Sequence, residues 1–347
     1  MASLVPTLTR AGLHLPRLGL WLDALKGQRG SERVFVSHAH SDHIAPHREV
    51  ICTEATAGLM HARGRGPRAA HKPGHGAPLE FSDGSEPFRV TLLPAGHIFG
   101  SAMAFIEAER GALLYTGDFK LRRGLSCEAC EPRRADVLVM ETTFGTPRHR
   151  MPAADQVWAD LVGFCRDALA AGGIPVLQAY ALGKCQELLL GLAAAGFRVA
   201  LHREAWAMTR TCAALGLAVP PHVKLGSCDV AGHVVLIPPT AKLPGDVRPA
   251  RTAVVTGWAV ESSCQYRAGV DAAFPLSDHA DFGELLEMVE RVQPRRICTV
   301  HGFAREFAAT LRERGLDARA LGQQEQLGLP FVEEAPSSRA PTARPAP

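Results

Sequence analysis

The stretch that decides the fold is Ser37-His38-Ala39-His40-Ser41-Asp42-His43, in which four metal-binding side chains fall within six positions. The residues just before it, 33–36, are apolar apart from Arg33 and predict a β-strand. Side chains alternate along extended backbone, so we expect His38 and His40 to point the same way. Imidazoles and carboxylates at this density stay unsatisfied if they are buried without a cation, and Zn²⁺ binds both groups. The stretch therefore predicts a metal centre at a strand end, with a solvated polar loop as the alternative.

Three later residues meet the same requirement. His97 lies in Pro94-Ala95-Gly96-His97-Ile98-Phe99-Gly100-Ser101, where small residues let the backbone approach a crowded centre. Asp118 and His301 each follow a predicted strand closely, at residues 112–115 and 297–300. A lone His or Asp in such a place is usually ordinary. Together with the first stretch, their order and their strand-end positions predict ligands of one site.

The composition allows a packed core and does not indicate a binding partner. The chain has 347 residues, of which 46% are hydrophobic and 21% are charged, so global disorder is excluded. Its 38 Lys and Arg against 35 Asp and Glu leave a formal charge of +3. That excess is too small to indicate a nucleic-acid partner by itself, so any basic track must be local.

The cysteines and the hydropathy pattern predict an intracellular protein. The start of the chain has no uninterrupted apolar core typical of a signal peptide, and no apolar run reaches the about 18 residues that a membrane span needs. Nine Cys residues then indicate free thiols in a reducing cytoplasm. The lone pair Cys127 and Cys130 is weak support for a metal or redox site.

The order of apolar segments predicts two kinds of sheet. Short strands separated by Gly and Pro fill the first third, for example residues 88–93 and 102–107. Strands and helices then alternate, with a helix at 157–171 and a strand at 175–179, which is typical of a parallel sheet flanked by helices. A helix, a strand and a helix follow between residues 281 and 314, before a Pro-, Ala- and Ser-rich tail that cannot bury apolar surface.

The metal-binding strings, in this order, resemble the metallo-β-lactamase superfamily. Asp23, in Leu20-Trp21-Leu22-Asp23, is similar to its first, supporting aspartate. The resemblance implies two Zn²⁺ ions, although Mn²⁺ could occupy the more oxygen-rich centre. It assigns the ligands as His38, His40 and His97 on one ion, Asp42, His43 and His301 on the other, and Asp118 between them.

Two further strings resemble the β-CASP nucleases of that superfamily. Val139-Met140-Glu141-Thr142-Thr143 places an acid directly after a strand, and Leu276-Ser277-Asp278-His279-Ala280-Asp281 places a His about 22 residues before His301. The resemblance implies an αββα metallo-β-lactamase sandwich with an inserted α/β β-CASP cap domain. The sandwich would comprise residues 1–145 and 275–332, the cap 146–274, and a disordered tail 333–347.

The inserted block also holds Tyr180-Ala181-Leu182-Gly183-Lys184-Cys185-Gln186-Glu187, which resembles an element of the β-CASP group that faces the substrate backbone. A helix N-terminus beside a Lys is a reasonable phosphate contact, so Lys184 is a candidate for that role. A solvated helix start is the alternative. Few aromatics are present for base stacking; the candidates are Tyr180, Trp206, Trp258 and Tyr266.

In length and motif order the chain is similar to bacterial DNA exonucleases described as ligase-associated. This resemblance implies a phosphodiesterase that cuts DNA in repair, in the cytoplasm, with an association with a DNA ligase or helicase. An RNA-processing nuclease with the same site is the close alternative, because a His at position 301 occurs in both groups. Either cutting direction, and cutting at ends or internally, fits the sequence.

The resemblance also implies catalytic roles. Two cations would activate water against the phosphorus atom, with Asp42 orienting the nucleophile. His279 would protonate the departing sugar oxygen, and Glu141 would hold His279 in place. Ser277 would donate a hydrogen bond to the scissile phosphate. A thioesterase or lactonase would need neither the pair Glu141 and His279 nor Lys184, and a catalytically dead binding subunit would not need to keep every ligand.

Overall fold

The computed structural model of the protein describes residues 4–82, 86–245 and 247–322. Within these residues the strands form three sheets, and residues of the first two sheets share one apolar core. The tail predicted at residues 333–347 lies outside the described part of the chain.

The first sheet is built from the N-terminal residues of the chain, in sequence order. Its strands are β1 (Thr7–Thr9), β2 (Gly12–Leu15), β3 (Leu20–Leu22), β4 (Arg33–Phe35), β5 (Glu49–Ile51) and β6 (Ala69–His71). Strands β3 to β6 run parallel, and helix α1 (Glu54–Ala62) connects β5 to β6. Thr53 begins this helix, since its hydroxyl accepts a hydrogen bond from the Thr56 amide at 3.1 Å.

The second sheet starts with a largely antiparallel run. Its first strands are β7 (Pro78–Phe81), β8 (Phe88–Pro94), β9 (Ala102–Ala108), β10 (Gly111–Tyr115) and β11 (Val137–Glu141). Strand β11 is buried along its whole length and pairs in parallel with β10. Its continuous apolar sequence is typical of a strand covered on both faces.

A block of alternating helices and strands follows. Its elements are α2 (Ala154–Ala170), β12 (Ile174–Gln178), α3 (Lys184–Ala194), β13 (Arg198–Leu201), α4 (Arg203–Ala214), β14 (Val223–Lys224), β15 (His233–Ile237), β16 (Ala250–Val255), α5 (Cys264–Ala268) and β17 (Ala272–Phe274). They form the third sheet, in the order β14-β13-β15-β12-β16-β17, and the strand pairs within it are parallel. The parallel, helix-flanked sheet predicted for this region is therefore confirmed.

The chain then returns to the second sheet. Its last elements are α6 (Phe282–Val292), β18 (Arg296–Val300), α7 (Ala304–Glu313) and β19 (Ala318–Ala320). Strand β18 pairs in parallel with β11, which gives the sheet order β19-β18-β11-β10-β9-β8-β7. The third sheet is thus an insertion between two segments of the second, and we call residues 146–274 the inserted block.

The layers follow from the apolar faces. Side chains of the first sheet, such as Leu22 and Phe35, pack against those of the second, such as Leu92 and Val139. Helices α6 and α7 cover the other face of the second sheet, and α1 covers that of the first. The architecture is an αββα sandwich with an inserted α/β block, as predicted. No helix in the described ranges is both long and apolar enough to cross a bilayer.

This topology brings several strand ends to one edge of the sandwich. Strands β3 and β4 are parallel, so the residues that follow them lie side by side. Strands β10, β11 and β18 are also parallel, and β8 runs in the same direction because two antiparallel pairings relate it to β10. The segments that contain the predicted metal ligands directly follow the carboxyl ends of these strands.

Candidate metal centre

Three imidazoles meet at this edge of the sandwich. His40 Nδ1 lies 3.0 Å from His38 Nε2 and 3.1 Å from His97 Nε2. With an oxygen of Asp118, one ligand atom from each of these residues lies within 4.8 Å of the others. His38 and His97 are buried and His40 is half-buried. The predicted convergence of these residues is therefore present.

The opposite nitrogen of each ring shows which one carries the proton. His40 Nε2 lies 3.1 Å from the Leu182 carbonyl, and His97 Nδ1 lies 2.8 Å from the Asp278 carbonyl. A carbonyl oxygen can only accept, so both of these nitrogens are N–H groups. The Ser37 hydroxyl donates to Asp23 and therefore accepts from His38 Nδ1 at 2.9 Å, so that nitrogen is an N–H group too.

The three facing nitrogens are therefore lone pairs directed at one another, which is unfavourable unless a cation lies between them. Burial lowers the pKa of all three imidazoles, and that of His97 to about 3, so the rings stay neutral and able to bind a metal. A cluster of neutral imidazoles with one carboxylate is a donor set that fits Zn²⁺. The geometry thus fits the metal that the sequence predicts.

Asp118 stands between two groups of potential ligands. Its Oδ2 lies 3.6 Å from His38 Nε2 on one side and 3.2 Å from His43 Nε2 on the other. Burial alone would raise the pKa of this carboxyl, but His43 and the neighbouring imidazoles hold it well below its usual range. Asp118 is therefore an anion that lies between the two groups of predicted ligands.

The second group of predicted ligands is more open. Asp42 Oδ2 lies 3.9 Å from His43 Nε2, and the Asp42 side chain is 65% exposed. His301 is exposed, and its ring centre lies 5.9 Å from that of His43. The structure thus brings His43 and Asp118 into contact and leaves Asp42 and His301 beside them on the solvent side.

Asp23 orients imidazoles of both groups through hydrogen bonds, to His43 directly and to His38 through Ser37. Its carboxylate accepts hydrogen bonds from the Ser37 amide at 2.7 Å, the Ser37 hydroxyl at 2.6 Å and His43 Nδ1 at 2.9 Å. The Tyr115 hydroxyl donates a fourth at 2.8 Å. This contact was not predicted, because nothing in the sequence distinguishes Tyr115 from an ordinary core residue at a strand end.

Glu141 and His279 form a pair next to the imidazole cluster. Glu141 is fully buried, and its Oε1 accepts from the Phe119 amide at 2.9 Å and from His279 Nδ1 at 3.0 Å. Burial opposes a charge on His279, but the carboxylates of Glu141 and Asp118 raise its pKa to about 10. His279 is thus held as a protonated ring, 4.6 Å from the His97 ring centre.

A pocket of about 520 Å³ opens above these residues. Its walls come from the sandwich and from the inserted block, which face each other across the predicted ligands. Tyr180 and Trp258, two of the predicted stacking residues, line it, together with Phe144. Arg63, which follows helix α1, lines it as well. Arg63 was not predicted, since a lone Arg after a helix has no motif.

Two predicted phosphate contacts are not brought to this pocket. Lys184 is 1% exposed, and its Nζ lies 2.9 Å from Glu187 Oε2 inside the fold. The Ser277 hydroxyl donates to the His279 carbonyl at 2.8 Å and accepts from the His279 amide at 3.0 Å. Both side chains are used internally, so the expectation that they face the substrate is corrected.

The chain is similar in sequence to one family model and to several known proteins. Residues 270–321 match the family model RMMBL, described as a Zn-dependent metallo-hydrolase RNA specificity domain. The chain is 48% identical over 338 residues to a protein of Opitutus terrae named Probable DNA ligase. The match covers 96% of this chain and 33% of that protein. It is 33% identical over 181 residues to the 5' exonuclease Apollo of Gallus gallus, covering 47% of this chain and 36% of that protein.

The chain therefore spans about a third of the length of these relatives. Among solved structures, a protein of unknown function from Enterococcus faecalis V583 has a similar fold. The TM-score is 0.52 at 12% identity, covering 77% of this chain and 74% of that one.

Proposed function

This chain belongs to the β-CASP nuclease branch of the metallo-β-lactamase superfamily, and from that membership we propose that it hydrolyses phosphodiester bonds of nucleic acid with two bound zinc ions. The observation that carries the proposal is the convergence of three imidazole lone pairs beside an anionic Asp118. Such a centre requires a cation, and the pair Glu141 and His279 supplies the acid that a simple metal-storage site would not need.

We assign the ligands as the resemblance to the family implies. His38, His40 and His97 form the three-histidine centre, and Asp42, His43 and His301 form the mixed centre. Asp118 would bridge them. The mixed centre has more oxygen donors, so Mn²⁺ is a second candidate there. When bound, two such ions activate a water molecule and neutralise charge on the phosphate.

The protein side chains then position and protonate the substrate. His279 uses Nδ1 to bind Glu141, which leaves Nε2 to protonate the departing sugar oxygen. Asp42 is an exposed carboxylate in the pocket, suited to orient the attacking water and to accept its proton. Because Lys184 and Ser277 are used inside the fold, we assign the phosphate contact to Arg63 instead. The charged group near the Arg63 guanidinium is Asp42.

DNA is the substrate that we favour. The likeness to the Opitutus protein extends over 96% of this chain, and the Apollo relative is named a 5' exonuclease. These likenesses support a DNA exonuclease that works with a DNA ligase, and we propose repair as its role, with a helicase as another candidate partner. Free cysteines in the described residues support a reducing compartment, the cytoplasm. RNA is the second candidate, because the matching family model is named for RNA specificity.

Digestion of end-labelled oligonucleotides tests this proposal. Matched single- and double-stranded DNA and RNA are incubated with the zinc- or manganese-loaded protein, and we expect products shortened stepwise from one end of DNA. His279→Ala should lower turnover by about 10²–10⁴-fold with unchanged metal content. The control is His75→Ala, at an exposed position outside the pocket.

Three outcomes would change the proposal. A protein that holds two metal ions but cleaves neither polymer would refute nuclease activity. Faster cleavage of RNA than of matched DNA would replace DNA by RNA as the substrate. Loss of zinc in His279→Ala would make His279 a ligand instead of the acid.

A further inference from the structure

The imidazoles of the proposed metal centres differ in which part of the chain orients them. His38 and His43 are held by Ser37 and Asp23, all within the first part of the sandwich. His40 is held by the carbonyl of Leu182, which lies 142 positions away in the inserted block. Hydrogen bonds of this kind fix the tautomer and direction of a metal-binding His, and losing one typically weakens metal binding about 10–100-fold.

The loop around Leu182 is seated firmly against the sandwich. Leu182 is 2% exposed and belongs to an apolar cluster with Ala39 and Ile98, which are neighbours of the metal ligands. Gly183 has φ of 90°, and a Cβ there would overlap Ile98 Cγ2 and lie 3.7 Å from His40 Nε2. Only glycine fits this backbone and this space, so the loop reaches His40 because position 183 has no side chain.

Side chains of helices α3 and α4 hold the same loop from behind. The Gln186 side chain accepts from the Gly183 amide at 2.6 Å and donates to the Ala181 carbonyl at 3.0 Å. It also donates to the Thr209 hydroxyl at 2.8 Å. The position of the Leu182 carbonyl is therefore set by the packing of the inserted block itself.

His97 depends on the inserted block through a buried ion network. Its Nδ1 donates to the Asp278 carbonyl, and the Asp278 carboxylate lies 3.9 Å from Lys184 Nζ. Lys184 and Lys120 both bind Glu187, at 2.9 and 3.2 Å, and Lys120 also donates to the Ser277 carbonyl. Buried charges are costly to leave unpaired, so these groups hold the segment 277–279 in one place.

We propose that the inserted block is a working part of the three-histidine centre, because it orients His40 through Leu182 and His97 through Lys184 and Asp278. Metal binding at this centre is then coupled to the seating of the inserted block on the sandwich. The mixed centre, whose His43 is held by Asp23, fills independently. Leu182, Gly183 and Lys184 are positioning residues in this scheme, which rests on the two-metal centre of the proposed function.

The test compares two glycines of the inserted block in the full-length protein. Gly183→Ala strains φ and pushes a methyl group against Ile98, whereas Gly196→Ala introduces a similar strain at φ 86° with nothing within 4 Å. Zinc is titrated into each metal-free protein against a chromophoric chelator, and circular dichroism confirms folding. We expect two tight equivalents for wild type and Gly196→Ala. Gly183→Ala should bind one tightly and the second about 10–100-fold more weakly.

A second variant keeps the test decisive if Gly183→Ala does not fold. Lys184→Met removes the cation beside Asp278 at nearly constant volume and leaves Glu187 paired with Lys120, and we expect it to weaken one zinc equivalent too. Two tight equivalents in a folded variant of either kind would overturn this inference alone. A wild-type protein that binds no zinc would instead overturn the metal centre and the proposed function together.

Discussion

Asp23 and His301 adopt left-handed backbone conformations, with φ of 43° and 60°, which non-glycine residues rarely do. Both directly follow strands that end at the metal centre. Asp23 compensates by accepting four hydrogen bonds, including those from His43 and Tyr115. The third such non-glycine residue in the described ranges, Gln293 at φ 51°, directly follows helix α6. At the scale of single residues, two of these three strained positions thus lie at strand ends beside the proposed ions.

Glu141→Gln should move the pH dependence of turnover. His279 acts as an acid while it is protonated, so activity is lost as the pH rises through its pKa. Glu141 is the main group that raises that pKa, to about 10, and glutamine keeps an acceptor but removes the charge. We expect the basic limb of kcat to move down by about 1–3 pH units. Measuring kcat against pH would contradict the assignment if both proteins lost activity at the same pH.

Arg63→Ala should weaken nucleic-acid binding without changing metal content. One phosphate contact fewer lowers the slope of log affinity against log salt by about 1. Binding is measured by fluorescence anisotropy at several salt concentrations, in the His279→Ala background so that the substrate stays intact. Arg65→Ala is the matched control, at an exposed position outside the pocket. Equal slopes for the two variants would remove Arg63 from the binding surface.

At the scale of elements, helix α6 links the second sheet to His279. Asp281 begins the helix two residues after His279, and it forms a capping box with Glu284 through hydrogen bonds of 3.0 and 3.1 Å. Apolar residues at helical spacing, such as Leu285 and Met288, form the face of α6 that packs into the core. The cap therefore fixes the position at which the chain leaves the site.

Asp281→Ala should lower the free energy of unfolding by about 0.5–2 kcal/mol through loss of the cap. The loss should lie toward the upper end, because Asp281 Oδ2 also accepts from the Met151 amide at 2.9 Å. Asp281→Asn keeps an acceptor and should cost less. Urea unfolding of the wild type and the two variants, all metal-loaded, measures the difference. An Asp281→Ala variant as stable as the wild type would show that the cap contributes nothing.

Elements with strong patterns could be predicted from the sequence, and weak ones could not. The helix predicted at residues 157–171 is observed as α2 at Ala154–Ala170, and the strand predicted at 175–179 is observed as β12 at Ile174–Gln178. Helix α1 and the short strands β5 and β6 were missed. The two strands have three residues each, too few to show a period, and pairing with neighbours in the first sheet holds them extended.

At the scale of the whole molecule, the metal centre joins segments from both parts of the sandwich and from the inserted block. Ions that bind only the folded chain stabilise it by mass action. The domain limits at 145 and 274 stay a prediction, although the third sheet lies between them in sequence.

Removal of metal should therefore lower the melting temperature. At zinc 100-fold above its dissociation constant, one site contributes about 2.7 kcal/mol, which corresponds to about 4 °C for a chain of 347 residues. Melting curves with a chelator, and after zinc is added back, should show a reversible shift of that size. Asp118→Asn, which removes the bridging charge, should melt at a temperature that the chelator hardly changes. A wild-type protein with the same insensitivity would contradict a structural role for the ions.

The sequence by itself determined many of the elements and the candidate ligands, because both depend on local features, whereas the layers followed only from the resemblance to a known family. Residue type and strand-end position are visible in His38, His40 and Asp118, and apolar periodicity predicts the elements that carry them. Only the tertiary structure decided what surrounds them. It moved Lys184 into a buried ion network and brought Arg63 to the pocket. It also placed the Leu182 carbonyl on His40, a contact no sequence displays, because every residue has a carbonyl and only packing decides which one a distant imidazole meets.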